Sequence, residues 1–195
     1  MTGRTHVAIA VAAALAVGVL GGPQSGSFVL ASAIGALVPD LDNAHSTLGT
    51  DAKLGWVHKI PGFGRHRGFT HSLVFALAVY LVARVLAPGT DHLLIRAAAA
   101  GGFVPSMLAV RHLLGTGVPA GLLLGLVSHD LSDLVNREGV QLLWPLSRRW
   151  ALYLFPNASV LERVLRYGVL ALLLVWRWPV GVGAVITTEA LWFVL

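Results

Sequence analysis

Eight histidines and nine acidic residues stand in a 195-residue chain of which only 12% is charged. Those best placed for chemistry gather in four stretches. They are Thr5-His6, Pro39-Asp40-Leu41-Asp42, His66-Arg67-Gly68-Phe69-Thr70-His71-Ser72 and Ser128-His129-Asp130-Leu131-Ser132-Asp133. Neutral imidazoles mixed with carboxylates suit Zn²⁺, Mn²⁺ or Fe²⁺. The chain has no cysteine, which excludes disulfides and thiolate ligands and leaves any metal to His and carboxylate side chains. His129 and Asp133 are spaced i, i+4 and share one face of a helix. They can bind a single ion together, or act as a ligand and its orienting carboxylate. The expected metal ligands are His6, Asp40, His66, His71, His129 and Asp133. That exceeds the four donors of a tetrahedral site, so two ions, or one ion with Asp42 as general base, are both open.

Arg67 reads equally as a clamp for a phosphate or developing oxyanion and as a basic anchor at the membrane face. Thr70 and Ser72 read as ligand partners or as caps of the helix that follows. Asp130 neighbours His129 but points elsewhere on the helix, so a surface or outer role is expected. His45, His58, His92 and His112 lack partners at useful spacing and read as loop or interface residues.

What must position these groups is apolar. The chain is 56% hydrophobic with a mean hydropathy of +0.76, and its charge fraction is about half that of an average soluble domain. Long apolar runs with charges between them indicate one all-α domain over residues 1–195, a polytopic membrane bundle of about six spanning helices. The runs are Val7–Leu20, Ser27–Val38, Phe69–Ala87, Val118–Val135, Val160–Trp176 and Val180–Leu195, the last two forming a hairpin broken at Trp178-Pro179. Gly21-Gly22-Pro23 closes the first run as a helix end, not as a secretory cleavage region. Residues 43–65 read as a polar loop with room for one short surface helix.

Topology constrains the remainder. If the first two helices are antiparallel neighbours, His6 and Asp40 lie at one face, and the loop returns His66 and His71 to it. The third helix then ends on the far side, at the turn Pro88-Gly89-Thr90-Asp91. For His129 and Asp133 to rejoin the others, residues 91–117 must make no net crossing, so a re-entrant or surface hairpin is expected there. Trp144, Trp150, Tyr153 and Phe155 suit the membrane interface. Arg4, Lys53, Lys59, Arg65, Arg67, Arg137, Arg148 and Arg149 share the face of the polar clusters, which places that face in the cytoplasm. The net charge of +5 is thereby read as topology. No Arg-rich run or aromatic-interleaved basic patch points to nucleic acid.

At these motifs the sequence resembles the YdjM-like family of inner-membrane metal-dependent hydrolases, LexA-regulated in some bacteria. The resemblance covers most of residues 1–177. It takes in His6, Pro39-Asp40-Leu41-Asp42 with Ser46, the block from His66 to Ser72, Ser128-His129 with Asp133, Gly139-Val140, Leu142-Leu143-Trp144-Pro145 and Leu161-Glu162-Arg163. The chain departs from the family pattern in a longer stretch before Ser128-His129, and in carrying Asn43 where a His often follows the second Asp. The resemblance implies a hydrolase without fixing its substrate.

The reading that joins these strands is metal-assisted hydrolysis of a phosphoester in an amphipathic, lipid-like substrate reached from the bilayer's inner leaflet. One or two ions, with Zn first and Mn or Fe as alternatives, would activate water, and Arg67 would hold a phosphoryl oxygen. The loose analogy is to zinc phospholipase C-like phosphodiesterase chemistry on an all-α scaffold. A non-enzymatic metal transporter or sensor would want ligands near the bilayer midplane, whereas these lie at helix ends. A metal-free lipid phosphatase would want paired Lys/Arg-Pro and Pro-Ser-Gly-His blocks, and a zinc membrane protease His-Glu-x-x-His; neither occurs.

Overall fold

The structure, a computed structural model, describes residues 1–19, 26–46, 55–60, 66–100, 117–146, 148–154, 156 and 158–176. Five α-helices run through them: α1 (Gly3–Val19), α2 (Gly26–Gly35), α3 (Leu73–Ala100), α4 (Gly117–Asp133) and α5 (Val160–Trp176). Short 3₁₀ turns occupy Pro39–Asp42, Gly55–Lys59 and Phe69–His71. Extended structure among the described residues is limited to one isolated antiparallel bridge between Val140 and Trp150. The all-α expectation holds, and Val160–Trp176 is helical over the span expected from its apolar run.

Helix α4 is the hub, packing against α1, α2 and α3, while α1 also packs against α2 and α5. Glycine makes the closest of these contacts. A Cβ at Gly125 would overlap the Ser32 carbonyl oxygen, and one at Gly121 would overlap that of Phe28. A Cβ at Gly35 would lie 2.5 Å from the Leu122 carbonyl oxygen. Small residues four apart let two helix backbones meet directly. Apolar side chains then seal the joints, with Val7, Val11, Ala33, Leu37 and Leu173 in one cluster and Phe75, Ala76 and Leu126 in another.

Outside the bundle the pattern inverts what a water-soluble domain shows. Leu77, Leu81, Val82, Val85 and Leu86 on α3, and Val160, Leu161, Val164, Leu172 and Val175 on α5, are exposed. The polar side chains are inside instead, at one end of the bundle: His6, Asp42, His71, His129 and Asp133 are all buried.

Two expectations are corrected. Among the described residues no helix is long and apolar enough to cross a membrane, so about six spanning helices are not found there. Helices α1, α4 and α5 have 17 residues each. At 1.5 Å per residue that is about 26 Å, against a hydrocarbon core of about 30 Å. The turn expected at Pro88-Gly89-Thr90-Asp91 is absent, since α3 continues through it for 28 residues. Proline has no N–H to donate and so forgoes one helix hydrogen bond, but the alanine- and leucine-rich run that follows carries the helix onward. The hairpin expected at 91–117 is therefore helical as far as Ala100, and the remainder of it lies outside the described residues, as does the run from Val180 to Leu195.

Candidate metal centre

Gly125 precedes His129 by about one helical turn, and the close approach it permits brings the His129 ring to the end of α2. There Nδ1 donates to the Ala36 carbonyl oxygen at 2.6 Å. This fixes the tautomer and leaves the Nε2 lone pair facing the opposite way.

The 3₁₀ turn at Phe69–His71 presents a second imidazole. Ser72 caps the helix that follows: its hydroxyl accepts from the Phe75 amide at 3.2 Å and donates to the Phe69 carbonyl at 2.6 Å. Thr70 instead donates its hydroxyl to Asp42 Oδ2 at 2.5 Å. His71 Nδ1 lies 3.1 Å from Thr70 Oγ1 and 3.4 Å from Asp42 Oδ2, so the proton belongs on Nδ1 and Nε2 faces inward. The Nε2 atoms of His71 and His129 then stand 3.2 Å apart. Two imidazole lone pairs do not face each other at that distance in a buried site unless a cation, a proton or a metal ion, lies between them.

Two carboxylates complete the cage. Asp40 Oδ1 lies 3.8 Å from His71 Nε2 and 3.9 Å from His129 Nε2, and Asp133 Oδ2 lies 3.9 Å from each. Ligand atoms about 2.0–2.1 Å from a common tetrahedral centre stand about 3.3–3.4 Å apart, so closing this cage on zinc needs a contraction of about half an ångström along its longer edges.

His6 brings a third imidazole. Its ring stacks on that of His129 with centroids 3.7 Å apart. The Ser132 hydroxyl donates to the His129 carbonyl at 2.8 Å, so it accepts from His6 Nδ1 at 2.7 Å. His6 Nε2 then faces Asp133. It is buried, 3.4 Å from Asp133 Oδ1, with no hydrogen-bond partner among the described residues. Three donor sets, each with its atoms within 4.8 Å of one another, arise from these groups: His71/His129/Asp133, His6/Asp40/His129 and Asp40/His66/His71. All six expected ligands are brought together.

The expected general base, Asp42, stands behind the cage. Its Oδ1 accepts from His66 Nδ1 at 2.7 Å, while its Oδ2 takes the Thr70 hydroxyl and faces His71. A carboxylate on the outer nitrogen of a ligand histidine orients the ring and raises its basicity. Burial by itself would raise the Asp42 carboxyl, but the His66 and His71 contacts overcome this and hold it below the ordinary carboxylate range. Asp40 is lowered as well, the surrounding imidazoles outweighing burial. Burial would lower His71, yet Asp40 and Asp42 together push it up to about 9. The two carboxylates thus favour a proton on His71, where the donors converge.

Arg67 is buried with its backbone in the left-handed region, φ 62°. A non-glycine residue held there signals a constrained position. Its Nε lies 3.3 Å from Asp133 Oδ2 and its Nη1 3.2 Å from Glu138 Oε2. Beside it a polar cavity of about 240 Å³ is lined by Asp40, Asn43, His45, Ser46, His66 and Arg67 among others. A larger groove of about 620 Å³ between α1 and α5 is apolar, and no candidate ligand lines it.

Three residues outside the expected ligand and catalytic set matter here. Asn136 donates to Asp133 Oδ1 at 2.8 Å, turning Oδ2 toward the histidines. Ser132 sets the His6 tautomer, and Glu162 is buried at the start of α1. Ser132 and Asn136 were findable: His129, Ser132, Asp133 and Asn136 follow the i, i+3, i+4, i+7 period of one helix face. The surface role expected for Asp130 is corrected, because its carboxyl is buried and both oxygens lack hydrogen-bond partners among the described residues. Of the expected interface aromatics, Trp144, Trp150 and Tyr153 are exposed and Phe155 lies outside the described residues. His45 is exposed and lines the cavity.

A family profile described as "YdjM inner membrane protein" matches residues 1–194. The "Uncharacterized protein YvsG" of Bacillus subtilis is 28% identical over 157 residues, covering 80% of each chain. The "Inner membrane protein YdjM" of Escherichia coli, and its namesake in Shigella flexneri, are 34% identical over 118 residues, 60% of this chain and 48% of theirs. The chain thus spans about half the length of those two relatives. No solved structure matches.

Proposed function

Since this chain belongs to the YdjM family of inner membrane proteins, we propose that it is a membrane-embedded, metal-dependent hydrolase acting on a phosphoester of a lipid-like substrate at the cytoplasmic face. The observation that carries the reading is the pair of Nε2 atoms 3.2 Å apart, each ring fixed from behind, inside a cage closed by Asp40 and Asp133. Neutral imidazoles and carboxylates with orienting partners on their outer atoms fit a divalent ion.

His71, His129, Asp40 and Asp133 would hold the ion, with His6 and His66 as further donors. When bound, it supplies Lewis acidity to water and to an ester oxygen at neutral pH. The protein's own groups do the rest. Asp42 and the Ala36 carbonyl hold the two rings so that little reorganisation is needed. Arg67, fixed by Asp133 and Glu138 at the cavity wall, binds a phosphoryl oxygen. The cavity is smaller than the 300–1,000 Å³ or so of sites that enclose a whole drug-sized ligand, so it takes a polar head and leaves the tail among the apolar outer faces.

Detergent-purified protein loaded with Zn²⁺ or Mn²⁺ is to be screened against phospholipids and polyprenyl phosphates. Phosphate or headgroup release that His71→Ala abolishes supports the reading. Arg67→Lys is expected to raise KM more than it lowers kcat, because a point charge replaces a two-pronged donor. Release that persists in His71→Ala would exclude this site.

A further inference from the structure

Glu162 is a buried carboxylate that the proposed metal centre does not touch, on a helix whose exposed side chains are mostly apolar. Its Oε1 accepts from the Thr2 amide at 2.5 Å, the Thr2 hydroxyl at 2.8 Å and the Thr5 hydroxyl at 2.8 Å. Its Oε2 accepts from the Ala158 amide at 2.7 Å. Thr2 is the N-cap of α1, since its carbonyl takes the Thr5 and His6 amides at 2.9 and 3.2 Å.

In a capping box the acidic partner of the cap sits three residues further along the same helix. Here it comes from α5, 160 residues away, and one carboxylate grips both hydroxyls of the first turn of α1. An anion at this end also complements the helix dipole. His6 follows Thr5 directly, and its ring must meet His129, Ser132 and Asp133 at once. A small rotation of that turn would carry Nε2 out of the cage.

We infer that Glu162 is a positioning residue for the metal centre: by holding Thr2 and Thr5 it sets the first turn of α1 and so places His6 as a donor. The inference rests on the metal reading proposed above. It makes α5 part of the site although α5 supplies no ligand.

The test is a double-mutant cycle on Co²⁺ affinity, read from the visible spectrum of the detergent-purified chain. Glu162→Ala is expected to weaken binding about tenfold or more, as loss of outer partners of metal ligands does. In a His6→Ala background the same change is expected to cost nothing further, because the residue it acts through is gone. Thr5→Val removes one of the bonds and is expected to give a smaller loss with the same dependence on His6, which keeps the test decisive if Glu162→Ala does not fold. Equal losses with and without His6, or unchanged affinity in both variants, would overturn the inference while leaving the metal centre standing. A wild-type chain that binds no Co²⁺ would overturn the metal reading, and this inference with it.

Discussion

His71 and His129 present the same nitrogen to one another for different reasons. His129 is turned by a backbone carbonyl, so its orientation follows helix packing; His71 is turned by a carboxylate and a threonine, so it also carries their charge. A metal ion entering the cage must displace the proton that Asp40 and Asp42 stabilise on His71. A ligand whose metal-free pKa is raised to about 9 binds metal against proton competition at every pH below that value. Zn²⁺ affinity is therefore expected to rise by about tenfold per pH unit from pH 6 toward 9 and to level off above it, one proton being released per ion at neutral pH. Competition titration against a chelator indicator measures this, and a flat profile over that range would remove His71 from the ligand set. Asp42→Asn takes away one of the two carboxylates, so the plateau is expected at lower pH, with affinity there reduced about 10–100-fold because the ring is no longer oriented. At this scale the sequence was informative about ligands and poor about their supports. His and Asp stand out in an apolar background, whereas the Ala36 carbonyl, Ser132 and Asn136 act through geometry that depends on α2 and α4 lying together.

The elements owe that geometry to glycine. Gly121 and Gly125 on α4 and Gly35 on α2 let the backbones meet, and the Ala36–His129 bond depends on that approach. Gly125→Val would put a branched side chain into the Ser32 carbonyl. It is expected to destabilise the bundle by about 1–3 kcal/mol, the usual range for overpacking, and to lower metal content with it. Unfolding in graded denaturing detergent, with metal analysis of the folded fraction, checks both. The apolar runs located α1, α2, α4 and α5 to within a few residues because the ends of the runs coincide with polar clusters and glycines there. It misplaced the end of α3. Pro88-Gly89 carries strong local turn chemistry, but the helix-favouring run beyond it prevails, a balance that local propensity does not reveal.

For the whole molecule, apolar side chains face outward along α3 and α5 while imidazoles and carboxylates gather inside one end. Together with the inner-membrane family, this supports a bundle set in lipid with its polar end at a water interface. The absence of native cysteine makes orientation directly measurable. A cysteine replacing His45 at the cavity rim is expected to react with an impermeant maleimide in inverted vesicles and not in right-side-out ones. The opposite pattern would place the site outside the cell.

The central claim is that this cage binds a divalent ion, and elemental analysis tests it most directly. Wild type, His71→Ala and Asp133→Ala are to be purified without chelators and their metal content measured. One or two equivalents of Zn, Mn or Fe in the wild type, lost in both variants while the helical content is kept, is the expected result. A folded wild type that carries no metal, and takes none up from added Zn²⁺ or Mn²⁺, would contradict the account and leave the cluster as a buried proton-linked network that orders the bundle.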